Sequence, residues 1–128
     1  MTFDFADDRG LVITMSGYEE DVSRHFEVKG AAATPATNTL FEVDEGANAL
    51  DGNRSMIFHS KVAKLLYLAL RVRPDILTTV AFLTTRVKAP TEEDDRKMDR
   101  LLRYLKSTKG KGIILTENRA YAYLADDQ

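Results

Sequence analysis

The chain has 128 residues, enough for one domain and too few for two ordinary ones. Its 44% apolar content argues against wholesale disorder, the absence of cysteine excludes disulfides and thiolate chemistry, and its short, charge-broken apolar runs exclude a membrane span. The net charge of −2 conceals a division, because residues 1–53 carry three basic and eleven acidic side chains whereas residues 54–119 carry fifteen basic and seven acidic.

Residues 1–28 are expected to form a β-hairpin and a short helix. Phe3 and Phe5 share one face of a first strand, and Leu11, Ile13 and Met15 share one face of a second. Asp7-Asp8-Arg9-Gly10 supplies the turn between them. The run MTFDFADDRG is acidic where a signal peptide is basic, which with the missing cysteines points to an intracellular protein. Ser16 is suited to cap a helix over about 17–28, with Glu19 completing a capping box. Tyr18, Val22 and Phe26 then fall on one face. Residues 29–55 read as an acidic linker, punctuated by Gly30, Pro35, Gly46 and Gly52 and carrying Glu42, Asp44, Glu45 and Asp51. So long a stretch without regular structure is unusual in a small domain, and implies either a mobile connection or a segment that wraps over a neighbour lying outside these 128 residues.

Residues 56–109 read as a three-helix unit. The first helix is expected over 56–72, with Phe58, Val62, Leu65, Leu66 and Ala69 as its apolar stripe. His59, Ala63 and Tyr67 form a second line at i, i+4 and i+8, with Lys61, Lys64 and Arg71 as a basic line beside it. Pro74 suits the first turn of a second helix that extends to about residue 88 and turns Ile76, Val80, Leu83 and Val87 inward. Thr91 caps the third, where Glu92, Glu93, Asp94 and Asp95 lie favourably at the positive end of the helix dipole. Met98, Leu101, Leu102 and Leu105 make its apolar stripe, and Arg96, Arg100 and Arg103 an exposed basic ridge. Residues 110–128 complete the chain with a strand over 113–116, a turn at Glu117-Asn118 and a strand over 120–124. The expected class is therefore α+β: a hairpin, a short helix, a long linker, a three-helix unit and a C-terminal hairpin.

Little of this supports catalysis. His25 and His59 each lack a second histidine at ligand spacing. Lys109-Gly110-Lys111-Gly112 lacks the spacing of a phosphate loop and fits a helix end followed by a turn. Asp126-Asp127 is the kind of carboxylate pair that holds magnesium at a strand end, but without a third acidic partner it reads as a charged terminus. The charge division has two readings: the basic part meets an anionic partner such as nucleic acid, or the two parts attract each other within the fold. Lys and Arg interleaved with Tyr67 suit a phosphate backbone, with small Ala63 allowing close approach. The plainer alternative makes Tyr67 a half-buried core aromatic and Ala63 a helix-packing contact.

Five segments occur in a telling order: Leu65-Leu66-Tyr67-Leu68-Ala69, Arg73-Pro74-Asp75-Ile76, Ala89-Pro90-Thr91, Leu102-Arg103-Tyr104-Leu105 and Ser107-Thr108-Lys109. With the N-terminal MTFDF and ITMSGY runs and the Ala-Thr-Pro patch, the chain resembles the reverse transcriptase of copia-type retrotransposon polyproteins. The resemblance covers nearly the whole chain. It implies that residues 1–28 join palm to thumb, that residues 56–109 are thumb-like, and that residues 110–128 enter a ribonuclease H domain. The family's Tyr-x-Asp-Asp motif, whose carboxylates hold magnesium in the full-length enzyme, falls upstream of the segments matched here, so the resemblance implies a non-catalytic fragment. Tyr123-Leu124-Ala125-Asp126-Asp127 imitates that motif with one residue too many. The implied partners are an RNA–DNA or DNA duplex and the remainder of the polyprotein. His59, Ala63 and Tyr67 would lie in the minor groove, with Lys61, Lys64, Arg71, Arg96, Arg100 and Arg103 on phosphates. The family usually has Gly where this chain has Ala63. A decayed or domesticated remnant serving as a helical protein-interaction module is the alternative.

Overall fold

The longest apolar stripe in the sequence organises the core. In a computed structural model of the chain, which describes residues 2–6, 10–108, 113–115 and 120–121, that stripe lies on helix α2, Gly52–Arg71. Phe58, Val62, Leu65, Leu68 and Ala69 are buried along it. Helix α1 spans Ser16–His25, a short 3-10 turn Pro74–Ile76 leads into α3, Leu77–Thr84, and α4 covers Glu92–Ser107. Ile76, Val80 and Leu83 meet α2 from one side, and Met98, Leu101, Leu102 and Leu105 of α4 complete the same cluster. Val22 of α1 joins it, and Tyr18 and Phe26 pack at its margin.

The expected α+β class is corrected by this arrangement. Over residues 15–108, where the core lies, the protein is helical, with four α-helices and no strand. Outside that body the backbones of Thr2–Ala6, Gly10–Thr14, Ile113–Leu115 and Ala120–Tyr121 pair in that order as antiparallel neighbours. Their alternating sequences favour extended backbone, but helix-on-helix packing builds the core and sets the class.

Local signals explain most helix boundaries. Thr91 caps α4, with a capping box in which Asp94 returns a bond to the Thr91 N–H at 2.9 Å. Asp94 also receives the Arg86 guanidinium at 3.1 Å, so a buried carboxylate ties the end of α3 to the start of α4. Helix α2 begins earlier than the expected residue 56, because Asp51 accepts from the Arg54 N–H at 2.8 Å and caps it. The second helix is shorter than expected. Its tight first turn follows Pro74, and its last regular residue is Thr84.

Ser16, expected as the cap, is the first residue of α1, with Met15 at the cap position, and Glu19 reaches a distant cation. The Glu19 carboxylate is 1% exposed and lies 3.2 Å from Arg73, which is 0% exposed. Arg73 places all five of its N–H donors. Nε and Nη2 bond the two oxygens of Asp75 at 3.0 and 2.9 Å, and Nη1 donates to Glu19 at 3.2 Å. Nη1 and Nη2 also reach the Thr108 carbonyl and hydroxyl, at 3.1 and 2.7 Å. The Tyr104 hydroxyl donates to Asp75 at 2.6 Å, and its ring lies 5.8 Å from the guanidinium. One cation thus joins α1, the turn after α2 and the end of α4. Burial pushes the Asp75 carboxyl upward, but the bonds from Arg73 and Tyr104 outweigh it and hold the group below its ordinary value. Burial, with the bond to Asp75, pushes the Tyr104 phenol upward.

Removing this cation strands two carboxylates, so Arg73→Met should cost about 3–5 kcal/mol in urea unfolding. A loss within surface-mutation range would refute the role assigned to it. Because the Asp75 value is depressed, its contribution is complete above the unfolded carboxylate range, near about pH 4, and disappears as pH falls through the lower folded value. Asp75→Asn should therefore flatten the acid limb of the stability profile, measured as unfolding midpoints from neutral pH downward.

Candidate nucleic-acid interface

The basic residues of α2 divide according to which neighbour each flank meets. Arg54 donates to Glu92 at 3.4 Å and to Asp95 at 3.2 Å, both on α4. Lys61 lies two turns further along the same flank, half-buried, with its ammonium 5.5 Å from the Phe26 ring and its charge close to Asp99. Burial, and then the neighbouring Asp95, push the Asp99 carboxyl upward despite that cation. The opposite flank of α2 carries His59, Ala63 and Tyr67, all exposed and in line. Arg71 is exposed beside them, and Lys64 is half-buried at their edge.

Tyr67 is held in place by its neighbours. Its ring lies 5.4 Å from that of Tyr18, tilted by 47°, and the Arg71 guanidinium stacks 4.4 Å above it. The Tyr18 hydroxyl donates to the Lys64 carbonyl at 3.3 Å. Burial, followed by the nearby Tyr67, pushes the Tyr18 phenol upward. The result is a layered Tyr18–Tyr67–Arg71 surface at one end of the exposed line. Met56, 74% exposed, and Leu70, 61% exposed, share this face. The sequence reading omitted both, although 56, 63, 67 and 70 have the spacing of a single helical stripe.

The ridge on α4 has a different setting, because the expected linker is a strap laid antiparallel along that helix. At the C-terminal end of α4, Lys106 donates to the Val28 carbonyl at 2.8 Å, and the Ser107 hydroxyl accepts from the Ala32 N–H at 3.3 Å. Midway, Arg100 donates to the Thr34 hydroxyl at 2.9 Å and Lys97 to the Glu42 carbonyl at 2.6 Å. At the N-terminal end, the Leu50 N–H bonds the Pro90 carbonyl at 3.0 Å and Glu92 the Asn48 carbonyl at 2.8 Å. Leu40 and Leu50 are buried, and Phe41 meets Phe82 edge to face at 5.5 Å. Gly30 passes over Arg103 with φ +90°, a backbone conformation that glycine adopts without penalty.

The nine residues expected to contact nucleic acid therefore do not form one surface. His59, Ala63, Tyr67 and Arg71 stand together, with Lys64 at the margin. Lys61 faces α1 and α4. Arg96 and Arg103 are exposed beside the strap, and Arg100 is half-buried beneath it. Asp126 and Asp127, the carboxylates considered for a metal, lie outside the described residues. Among the described residues, no three His, Asp or Glu side chains gather to hold a metal ion, and no helix is long and apolar enough to cross a membrane.

No protein-family model, curated protein or solved structure matches the chain.

A side chain at Gly30 would meet Arg103 only at 3.6 Å, an ordinary contact, so its cost would come from the backbone. Gly30→Ala should destabilise by about 1 kcal/mol in urea unfolding, as expected for a positive φ. An unchanged midpoint would mean that the strap is not fixed at this point.

Proposed function

We propose that the chain is a nucleic-acid-docking fragment of a copia-type reverse transcriptase, holding an RNA–DNA or DNA template–primer duplex for a polymerase site elsewhere in the polyprotein. The ordered motifs motivate the family. The observation that carries the docking role is the shared exposure of His59, Ala63 and Tyr67 on one face of α2, with Arg71 stacked on Tyr67. Stacking occupies the face of the guanidinium and leaves its edge donors for phosphate oxygens. Ala63 keeps the middle of the line low, so a groove wall can approach the helix. Lys64 adds a second phosphate contact at the margin. In this reading Arg96, Arg100 and Arg103 lie outside the docking face, because α2 turns its other flank to α4.

A second reading, a helical protein-interaction module, has one observation in its favour. Met56 and Leu70 place two large apolar side chains on the same face, where a phosphate backbone makes little use of them.

Fluorescence anisotropy with a short labelled hybrid duplex distinguishes the two. Docking predicts affinity that falls steeply with salt, because phosphate neutralisation releases counterions. Lys64→Glu and Arg71→Glu should each weaken binding and lower the salt slope by about 1. Lack of duplex binding at low salt would overturn the docking role and favour the interaction module.

A further inference from the structure

A cavity of about 460 Å³ opens between the strap and α4. Ala36, Leu40 and Val43 supply apolar wall, and Thr37 and Thr39 supply hydroxyls. Glu93, Arg96, Lys97 and Arg100 line the α4 side. This volume is within the range of small-molecule sites, about 300–1,000 Å³.

The charges in the cavity are not equally committed. Lys97 pairs with Glu93 at 2.9 Å and also donates to the Glu42 carbonyl. Asp44 accepts from the Gly46 N–H at 2.9 Å within its own turn. Arg96, one turn before Arg100 on the same face of α4, makes no ion pair or hydrogen bond among the described residues. Arg100 donates through Nη2 to Thr34, but its Nε is buried with no acceptor. That Nε is closed to solvent, so an oxyanion in the cavity would meet the outer Nη groups of Arg100 together with the open Arg96 guanidinium. Two guanidiniums at i and i+4 suit an oxyanion with several acceptor oxygens.

The strap limits what can enter. Glu42 and Asp44 line the side facing α4, and their charges oppose an extended polyanion that would fill the cavity from end to end. A compact ligand can place one anionic head against Arg96 and Arg100 and its remaining atoms against Leu40 and Val43. We propose that this cavity is a binding site for a phosphate monoester carried on a small apolar group. The proposal does not rest on duplex docking, which uses the outer face of α2.

Isothermal titration of the full chain with phenyl phosphate tests it, with benzoate and inorganic phosphate as comparisons. Phenyl phosphate should bind saturably in the millimolar range or better and outcompete both comparisons. Arg96→Gln and Arg100→Gln should each weaken it by roughly tenfold or more, in line with loss of a charge-assisted bond. Lys88→Gln, on an exposed residue away from the cavity, should not. Arg96 is exposed and unbonded, so its variant should keep the fold, which circular dichroism checks independently of binding. Lack of saturable binding to the unaltered chain overturns the site, as does equal binding by Arg96→Gln. Benzoate binding as tightly overturns the phosphate assignment, and inorganic phosphate binding as tightly overturns the role of the apolar wall.

Discussion

The rest of the structure depends on a single buried cation. Taking Arg73 out of water costs several kcal/mol, and the fold offsets that cost by giving every N–H of the guanidinium an acceptor. Those acceptors come from three parts of the chain. Glu19 fixes the orientation of α1, Asp75 fixes the tight turn after α2, and Thr108 fixes the end of α4. Apolar packing alone would leave α1 free to slide on its neighbours, because hydrophobic contact is non-directional. The ion pairs and hydrogen bonds give that packing one register.

This arrangement also gives some of the ordered motifs a physical role. Arg73-Pro74-Asp75, Tyr104 and Thr108 are far apart in sequence, yet they meet around the same guanidinium. Their spacing is what two antiparallel helices and a tight turn require if their ends are to converge. Residues that read as signatures of a nucleic-acid enzyme are, in this part of the molecule, structural. The docking role proposed for α2 therefore rests on other residues, those whose side chains face outward.

The charge division in the sequence is resolved partly by geometry. The acidic segment does lie on the basic one, as the plainer alternative held, but its bonds to α4 run largely through backbone carbonyls and a hydroxyl rather than through carboxylates. Lys97 and Lys106 are committed in this way, Arg100 only through one Nη2 bond, and Arg96 stays open. The outer face of α2 escapes the strap because the strap follows α4, which meets α2 on its Arg54–Lys61 flank. Two regions remain available for partners, and they differ in character. One is a convex helix face with a stacked tyrosine and arginine, and the other is a recess with paired guanidiniums.

The sequence by itself determined the helices of the body, because their stripes and caps are local. The i, i+3, i+4 spacing of Phe58, Val62, Leu65 and Ala69 and the Thr91–Asp94 cap can be read without knowing what packs against them. It also placed His59, Ala63 and Tyr67 on one line, since that follows from helical periodicity alone. Three matters were decided only by tertiary structure. Nothing local to α1 records that Glu19 pairs with Arg73, a cation 54 residues away that is buried with it. Residues 29–51 have no period of their own, so only the helix beneath them shows that they are a strap. The basic line on α2 and the ridge on α4 looked alike in sequence, but the packing of α2 against α4 separated them. In each case the deciding interaction joins residues many positions apart, and no local pattern records it.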